Sequence, residues 1–246
     1  MPKPTERLCV LLPAYNEAAN IARVVADVRA VQVDGVEITP LVVNDGSKDD
    51  TAALAGAAGA TVVSHPVNRG VGAGFRTGRD WALEQGFDYL LHMDSDGQVQ
   101  AHEIPKLLAP VRRGEADIAI GSRFLVGAPE NLERWKALAL RSMAGTIGLL
   151  TGYRLTDLSC GFRCMNRRIM EIVRPTFDYD YIQETLIQAL AAGARLVEVP
   201  VHILYEKEPA RPGMSQRTLR YSRRFLTLTG YALANFYKTR AKKLVG

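Results

Sequence analysis

Short, unbroken apolar runs alternate along the first half of the chain with stretches whose apolar residues recur every three or four positions. Leu8–Leu12 reads as a strand buried on both faces and closed by Pro13. Beyond it, Ile21, Val24, Val25 and Val28 share one helical face, with Asn16 as the expected N-cap. Ile38–Val43 predicts a second strand, and Ser47-Lys48-Asp49-Asp50 predicts the capped start of an alanine-rich helix. A short strand at Thr61–Ser64, a glycine-rich loop, a helix over Phe75–Glu84 and a strand over Phe87–Met93 follow. Ile104–Arg113 and Asp117–Ile120 add one more helix and strand. Strands joined by single helices need crossover connections, so the expected fold is α/β: a mostly parallel, Rossmann-like sheet with helices on both faces.

The second half is less regular. It predicts a helix near Leu132–Leu150, a loop around Asp157–Phe162, a helix near Tyr181–Ala192, a strand over Leu196–Leu204 and a final amphipathic helix from about Leu219. The expected division is one domain over residues 1–216 and a basic amphipathic C-terminal helix and tail over 217–246.

Composition refines this only in places. A hydrophobic fraction of 47% excludes wholesale disorder, and 246 residues suit one large domain. The net charge of +5 is unevenly spread: no Asp or Glu follows Glu208, while Arg211, Arg217, Arg220, Arg223, Arg224, Lys238, Arg240, Lys242 and Lys243 do. Such a tail favours anionic partners, or is simply a solvated basic surface. Cys9, Cys160 and Cys164 form neither a disulfide framework nor a zinc set, and no apolar signal segment opens the chain, so buried thiols in the cytoplasm are expected. The uncharged stretches Ser142–Tyr153 and Phe225–Tyr237 fall short of the ~20 residues a spanning helix needs. Contact with a membrane surface is expected, and crossing is not.

Ligands of such sheets gather at the carboxyl ends of the strands. Pro13-Ala14-Tyr15-Asn16-Glu17, Asn44-Asp45-Gly46-Ser47 and Asp94-Ser95-Asp96-Gly97-Gln98 follow three of the predicted strands. Alternation in an extended backbone lets Asp94 and Asp96 approach one hard cation, Mg²⁺ or Mn²⁺, with Gln98 as a neutral oxygen nearby; an Asp-rich turn is the plainer reading. Asp45 is placed to accept a hydrogen bond from a base ring, or to help start the next helix. Arg69 and Arg76 border Gly70, Gly72 and Gly74, whose backbone can approach a ligand closely. Gly121-Ser122-Arg123 offers an arginine for a phosphate, with Arg134 and Arg141 sharing a face of the following helix. Glu184 is either a satisfied, half-buried acid or a group at an acceptor, and the four histidines show no ligand spacing.

In order, Pro13–Glu17, Asn44–Ser47, Asn68-Arg69-Gly70, Asp94–Gln98, Gly121–Arg123 and Asp157–Arg163 resemble the glycosyltransferase family-two series, and within it the dolichol- or polyprenyl-phosphate mannosyltransferases. The resemblance covers residues 7–216 and implies a GT-A fold and inverting transfer. By it, Pro13, Tyr15, Glu17 and Asp45 surround the nucleotide of a nucleotide-sugar donor. Asp94, Asp96 and Gln98 attend the metal and diphosphate, and Arg123 holds the acceptor phosphate, joined by Arg134 or Arg141. Arg211 and Ser215 belong to a loop closing over the donor. The chain departs from the family at Asn44, where Asp is usual, and at Gln216, where Lys is usual.

The implied reaction moves mannose from GDP-mannose, or else glucose from UDP-glucose, to a polyprenyl phosphate, on the cytoplasmic face of a membrane held peripherally. A phosphate monoester, ionised with a second pKa of about 6, needs orientation more than a general base, and the cations after the fifth strand suit it. The competing readings are a soluble transferase acting on a hydroxyl and a non-catalytic nucleotide-sugar or nucleic-acid binding module. The paired carboxylates leave the binder without a use for them, so nucleic acid is not an expected partner.

Overall fold

In the computed structural model, residues 5–127, 132–178, 181–204, 230 and 233–240 are described. The first apolar run is β1 (Glu6–Ala14), and its alternate side chains go to opposite faces of the sheet. Leu8, Val10 and Leu12 join one core cluster, and Cys9 and Leu11 join the other. A strand clamped between two cores has no polar face, which is why the run is continuous.

Around it lie β2 (Val36–Asn44), β3 (Thr61–Ser64), β4 (Tyr89–His92), β5 (Ile118–Ser122), β6 (Arg163–Asn166) and β7 (Leu196–Pro200), in the order β3-β2-β1-β4-β6-β5-β7. The pairings β1–β2, β1–β4, β2–β3 and β5–β7 are parallel. β6 runs antiparallel between β4 and β5, so the sheet is mostly parallel with one reversed strand. β6 carries no strand pattern of its own: Arg163-Cys164-Met165-Asn166 is four residues long and includes an arginine. The strand expected over Leu196–Leu204 ends at Pro200, leaving one bridge from Ile203 to Val99.

Helices α1 (Ile21–Ala30), α2 (Thr51–Ala57), α3 (Val71–Glu84), α4 (Ile104–Arg112), α5 (Arg134–Thr151), α6 (Arg167–Ile172) and α7 (Tyr181–Ala191) cover the sheet. α1 and α4 pack into the cluster with Leu8, and α3, α5, α6 and α7 into the one with Leu11. Residues 233–240 are helical, and Phe236 is buried in that second cluster with Leu233 packed against it. That stretch of the C-terminal helix therefore docks on the domain core. The boundary expected at 216/217 lies outside the described residues.

Two expected caps are placed differently. The N-cap of α1 is Asn20, not Asn16, and Asn16 sits instead at φ 57 with its side-chain oxygen accepting from the Lys48 backbone N–H. Left-handed backbone is tolerated by Asn because its short side chain bonds locally. Ser47 does not cap α2, whose N-cap is Asp50; its hydroxyl oxygen accepts from the Asn16 N–H. Both residues thus lace the two ligand-side loops together.

Candidate active site

The carboxyl ends of β1, β2 and β4 open into one cleft of about 570 Å³, lined by Pro13, Ala14, Tyr15, Glu17, Asp45, Asn68, Gly70, Val71, Asp94, Ser95 and Asp96. Ser95 closes the joint between two of the loops by donating its hydroxyl to the Pro13 carbonyl at 2.7 Å. Glu17 is held by its backbone, which donates to Thr51 Oγ1 at 2.8 Å, leaving its carboxylate at the cleft wall.

Four carboxylate residues, Glu17, Asp45, Asp94 and Asp96, therefore line one space. Burial, with the nearby charges of Asp94 and Glu17, holds the Asp96 carboxyl above its ordinary range, against the opposing bond from the Gln98 backbone N–H. Among the described residues no three His, Cys, Asp or Glu side chains gather closely enough to hold a metal by themselves. The donor set is hard oxygen, suited to Mg²⁺ or Mn²⁺ bound by one or two carboxylates and completed by substrate phosphates. Gln98 is not part of the lining; its carbonyl accepts from Leu204 N–H at 3.0 Å.

Asp45 is 3% exposed and heavily engaged. One oxygen accepts from His65 Nδ1 at 2.7 Å and Arg69 N–H at 2.9 Å, the other from Gly70 N–H at 2.8 Å. His65 Nε2 in turn faces Thr77 Oγ1 of α3 at 2.9 Å. The glycine-rich segment proves to be the first turns of α3 rather than a loop. Gly72 makes room for the protein itself: a Cβ there would lie 2.2 Å from the Phe177 carbonyl oxygen, and its N–H donates to Asp178 O. Arg76 is bound to Asp178 at 2.6 Å, so it is spent on the same contact.

On the other side of the sheet's end, Arg123 is almost buried. One edge of its guanidinium meets both oxygens of Asp157, Nε at 2.6 Å and Nη2 at 2.7 Å, and Nη2 also donates to Ser159 Oγ at 2.6 Å. Asp157 is fully buried. Phe124 brings the next arginine close: the guanidinium carbons of Arg123 and Arg141 lie 5.8 and 5.9 Å from its ring centroid. Arg134 is exposed at the start of α5. None of the three arginines lines the cleft, and Arg211 and Ser215 lie outside the described residues.

Glu184 is 4% exposed and satisfied. It accepts from the N–H groups of Thr176 and Phe177, from the Thr176 hydroxyl and from the Gln188 amide. Of the two readings open at the sequence level, the satisfied acid is the one observed. The three cysteines are free and buried, with burial pushing the Cys160 thiol up to about 12.

The glycosyl transferase family 2 profile matches residues 9–173. This chain belongs to that family. It is a glycosyltransferase of GT-A fold. It is 32% identical over 210 residues to the polyprenol monophosphomannose synthase of Mycolicibacterium smegmatis, a match covering 81% of this chain and 78% of that protein. It is 31% identical to the undecaprenyl-phosphate mannosyltransferase of Micrococcus luteus, covering 85% and 88%. Among solved structures it resembles glucosyl-3-phosphoglycerate synthase of Mycobacterium tuberculosis in complex with Mn²⁺, uridine diphosphate and phosphoglyceric acid, with a TM-score of 0.70 at 19% identity over 94% of this chain and 78% of that one.

Residue-by-residue reading missed His65, His92 and the role of Asp157. Each histidine ends or directly follows a strand leading to the cleft, and that position, not ligand spacing, is the signal that marked them.

Proposed function

We propose that this transferase moves mannose from GDP-mannose, with inversion at the anomeric carbon, onto a polyprenyl phosphate at the cytoplasmic face of a membrane. Glucose from UDP-glucose is the next donor. The names of the relatives matched over four-fifths of the chain support the acceptor class and the mannose. The observation that favours a phosphate over a hydroxyl is Glu184: the acid a hydroxyl acceptor would have drawn on for general base catalysis already accepts four hydrogen bonds.

In this reading Pro13, Tyr15, Glu17 and Asp45 surround the nucleotide, and Asp94 and Asp96, with Gln98 beside them, hold Mg²⁺ or Mn²⁺ against the diphosphate. The metal supplies charge neutralisation for the departing diphosphate. Arg123, oriented by Asp157, sets positive potential on the acceptor side, where a pre-oriented donor needs no rearrangement as the sugar moves. Arg141 joins it across Phe124. Arg211 and Ser215 complete the donor side.

A peripheral seat on the membrane is supported by α5, which exposes Trp135, Leu138 and Leu149 beside the basic Lys136 and Arg141. No helix among the described residues is long and apolar enough to cross a membrane.

The test is transfer of label from GDP-mannose and UDP-glucose to a short polyprenyl phosphate, with Mg²⁺ or Mn²⁺ and with chelator. Metal-dependent label in the organic phase is the expected result, greater from GDP-mannose. Donor hydrolysis with no lipid product overturns the acceptor assignment, and equal labelling in chelator overturns the metal.

A further inference from the structure

We propose that His92 and Tyr181 are positioning residues for the transfer, which act through the Gly161 carbonyl to set the acceptor-side loop against Asp94. The inference rests on the transferase reading above.

His92 ends β4, two residues before Asp94, and is 2% exposed. Nδ1 lies 2.7 Å from the Gly161 carbonyl oxygen. A carbonyl only accepts, so the proton is on Nδ1. Nε2 is then the acceptor in a neutral ring and takes the hydroxyl of Tyr181, also 2.7 Å away and likewise buried. The partner of one ring nitrogen thus decides which proton the other presents. Phe75 packs against both rings, with centroids 6.2 and 5.1 Å away, and keeps them from turning.

Gly161 is where this pair meets the chemistry. A Cβ built on it would stand 3.1 and 3.2 Å from the two carboxylate oxygens of Asp94 and 3.3 Å from His92 Cε1. The bare backbone therefore lies directly against Asp94, drawn there by the histidine. The rest of this loop is held just as firmly. Arg163 donates to the carbonyls of Leu158 at 2.7 Å and Cys160 at 2.8 Å, and Glu198 accepts from the N–H groups of Thr156 and Asp157. Asp157 carries Arg123. A unit that rigid moves as a body, and His92 ties it to the end of the strand that leads into Asp94. The pair thereby governs the separation of donor-side carboxylate from acceptor-side arginine.

Three variants of the full chain test this. His92→Leu fills much of the space but donates nothing. His92→Asn keeps an amide donor close to the Nδ1 position, and Tyr181→Phe removes one hydroxyl. Turnover with polyprenyl phosphate is expected to fall about 100-fold in His92→Leu, the scale of a misplacement near 1 Å. Nucleoside diphosphate binding in chelator, read by calorimetry, is expected to stay within about twofold. His92→Asn is expected to recover about tenfold of the lost turnover. Histidine ¹⁵N spectra are expected to show the Nδ1–H tautomer in the parent protein and a mixture in Tyr181→Phe.

Undiminished turnover in His92→Leu overturns the proposal. So does a loss of turnover matched by equal losses in nucleotide binding and thermal midpoint with no recovery in His92→Asn, which marks a core-stabilising pair and nothing more. If the parent protein moves no sugar to lipid, the functional reading fails separately. His92 is then judged by metal-dependent donor hydrolysis across the same variants and by the tautomer spectrum.

Discussion

His65 and Asp45 stand twenty residues apart in sequence and are joined by a 2.7 Å hydrogen bond beside the cleft. The bond adds to two backbone N–H groups, from Arg69 and Gly70, on the same carboxylate. Asp45 thus folds the segment that presents Asn68 and Gly70 to the cleft. Asp45→Ala strands two N–H donors and a histidine, and is expected to lower stability by about 2–4 kcal/mol, while His65→Leu costs about 1–2 kcal/mol. Nucleotide affinity should fall with both, and urea unfolding with calorimetry reads the two effects together. Weakened nucleotide binding in Asp45→Ala at unchanged stability would mean that the carboxylate acts on the base alone.

Asp96→Ala removes one of the four carboxylates that line the cleft. A bound divalent ion contributes several kcal/mol to transition-state charge, and each 1.36 kcal/mol is tenfold in rate. Metal-dependent turnover is expected to drop about 100- to 1000-fold with an intact thermal midpoint. A non-catalytic binding module would keep its ligand affinity and show no turnover to lose.

Asp157 and Arg123 form a buried pair joined by two parallel hydrogen bonds. Removing Asp157 takes both carboxylate bonds from a nearly buried guanidinium, at a cost of about 3–5 kcal/mol. Asp157→Ala is therefore expected to lower the urea midpoint more than Arg123→Lys, which keeps the charge but loses the planar fork. Arg123→Lys should raise the KM for the acceptor while leaving nucleotide binding in place. Equal stability of Asp157→Ala and the parent chain would refute the buried pairing.

Acid stability has a named contributor far from the cleft. Burial of Asp117 raises its pKa, but the bonds from the Arg195 side chain and backbone N–H and from Asn166 outweigh it and hold the carboxyl at about 2. The folded value lies below the unfolded one of 3.8, so the stabilisation is complete above about pH 4 and lost as pH falls toward 2. With Arg195 solvent-exposed, about 1–2 kcal/mol is expected. Asp117→Asn should lose that amount at neutral pH and show a flatter decline between pH 4 and 2 in urea unfolding.

Much of the cleft was legible in advance because a parallel strand buried on both faces must be an unbroken apolar run, and its polar successors must sit at the strand end. Pro13, Tyr15, Glu17, Asp45, Asp94 and Asp96 were placed by that rule, and all six line the one cleft. Arg123 was legible as an arginine after a strand, but not as the partner of Asp157. The cap of α1 was misplaced because Asn16 and Asn20 both precede the apolar face. Which one caps depends on whether the other is held by Lys48, in a loop 32 residues away.

The sequence by itself determined the α/β class, the family and the strand-end loops that line the cleft, since each follows from local periodicity or from residue order. Only the tertiary structure decided that β6 inserts antiparallel between β4 and β5, that Gly161 comes to rest against Asp94, and that His92 reaches Tyr181, 89 residues on. Periodicity says which face a side chain takes. It is silent on which strand lies next and in what register, and register is what chooses the partner of a buried charge or ring.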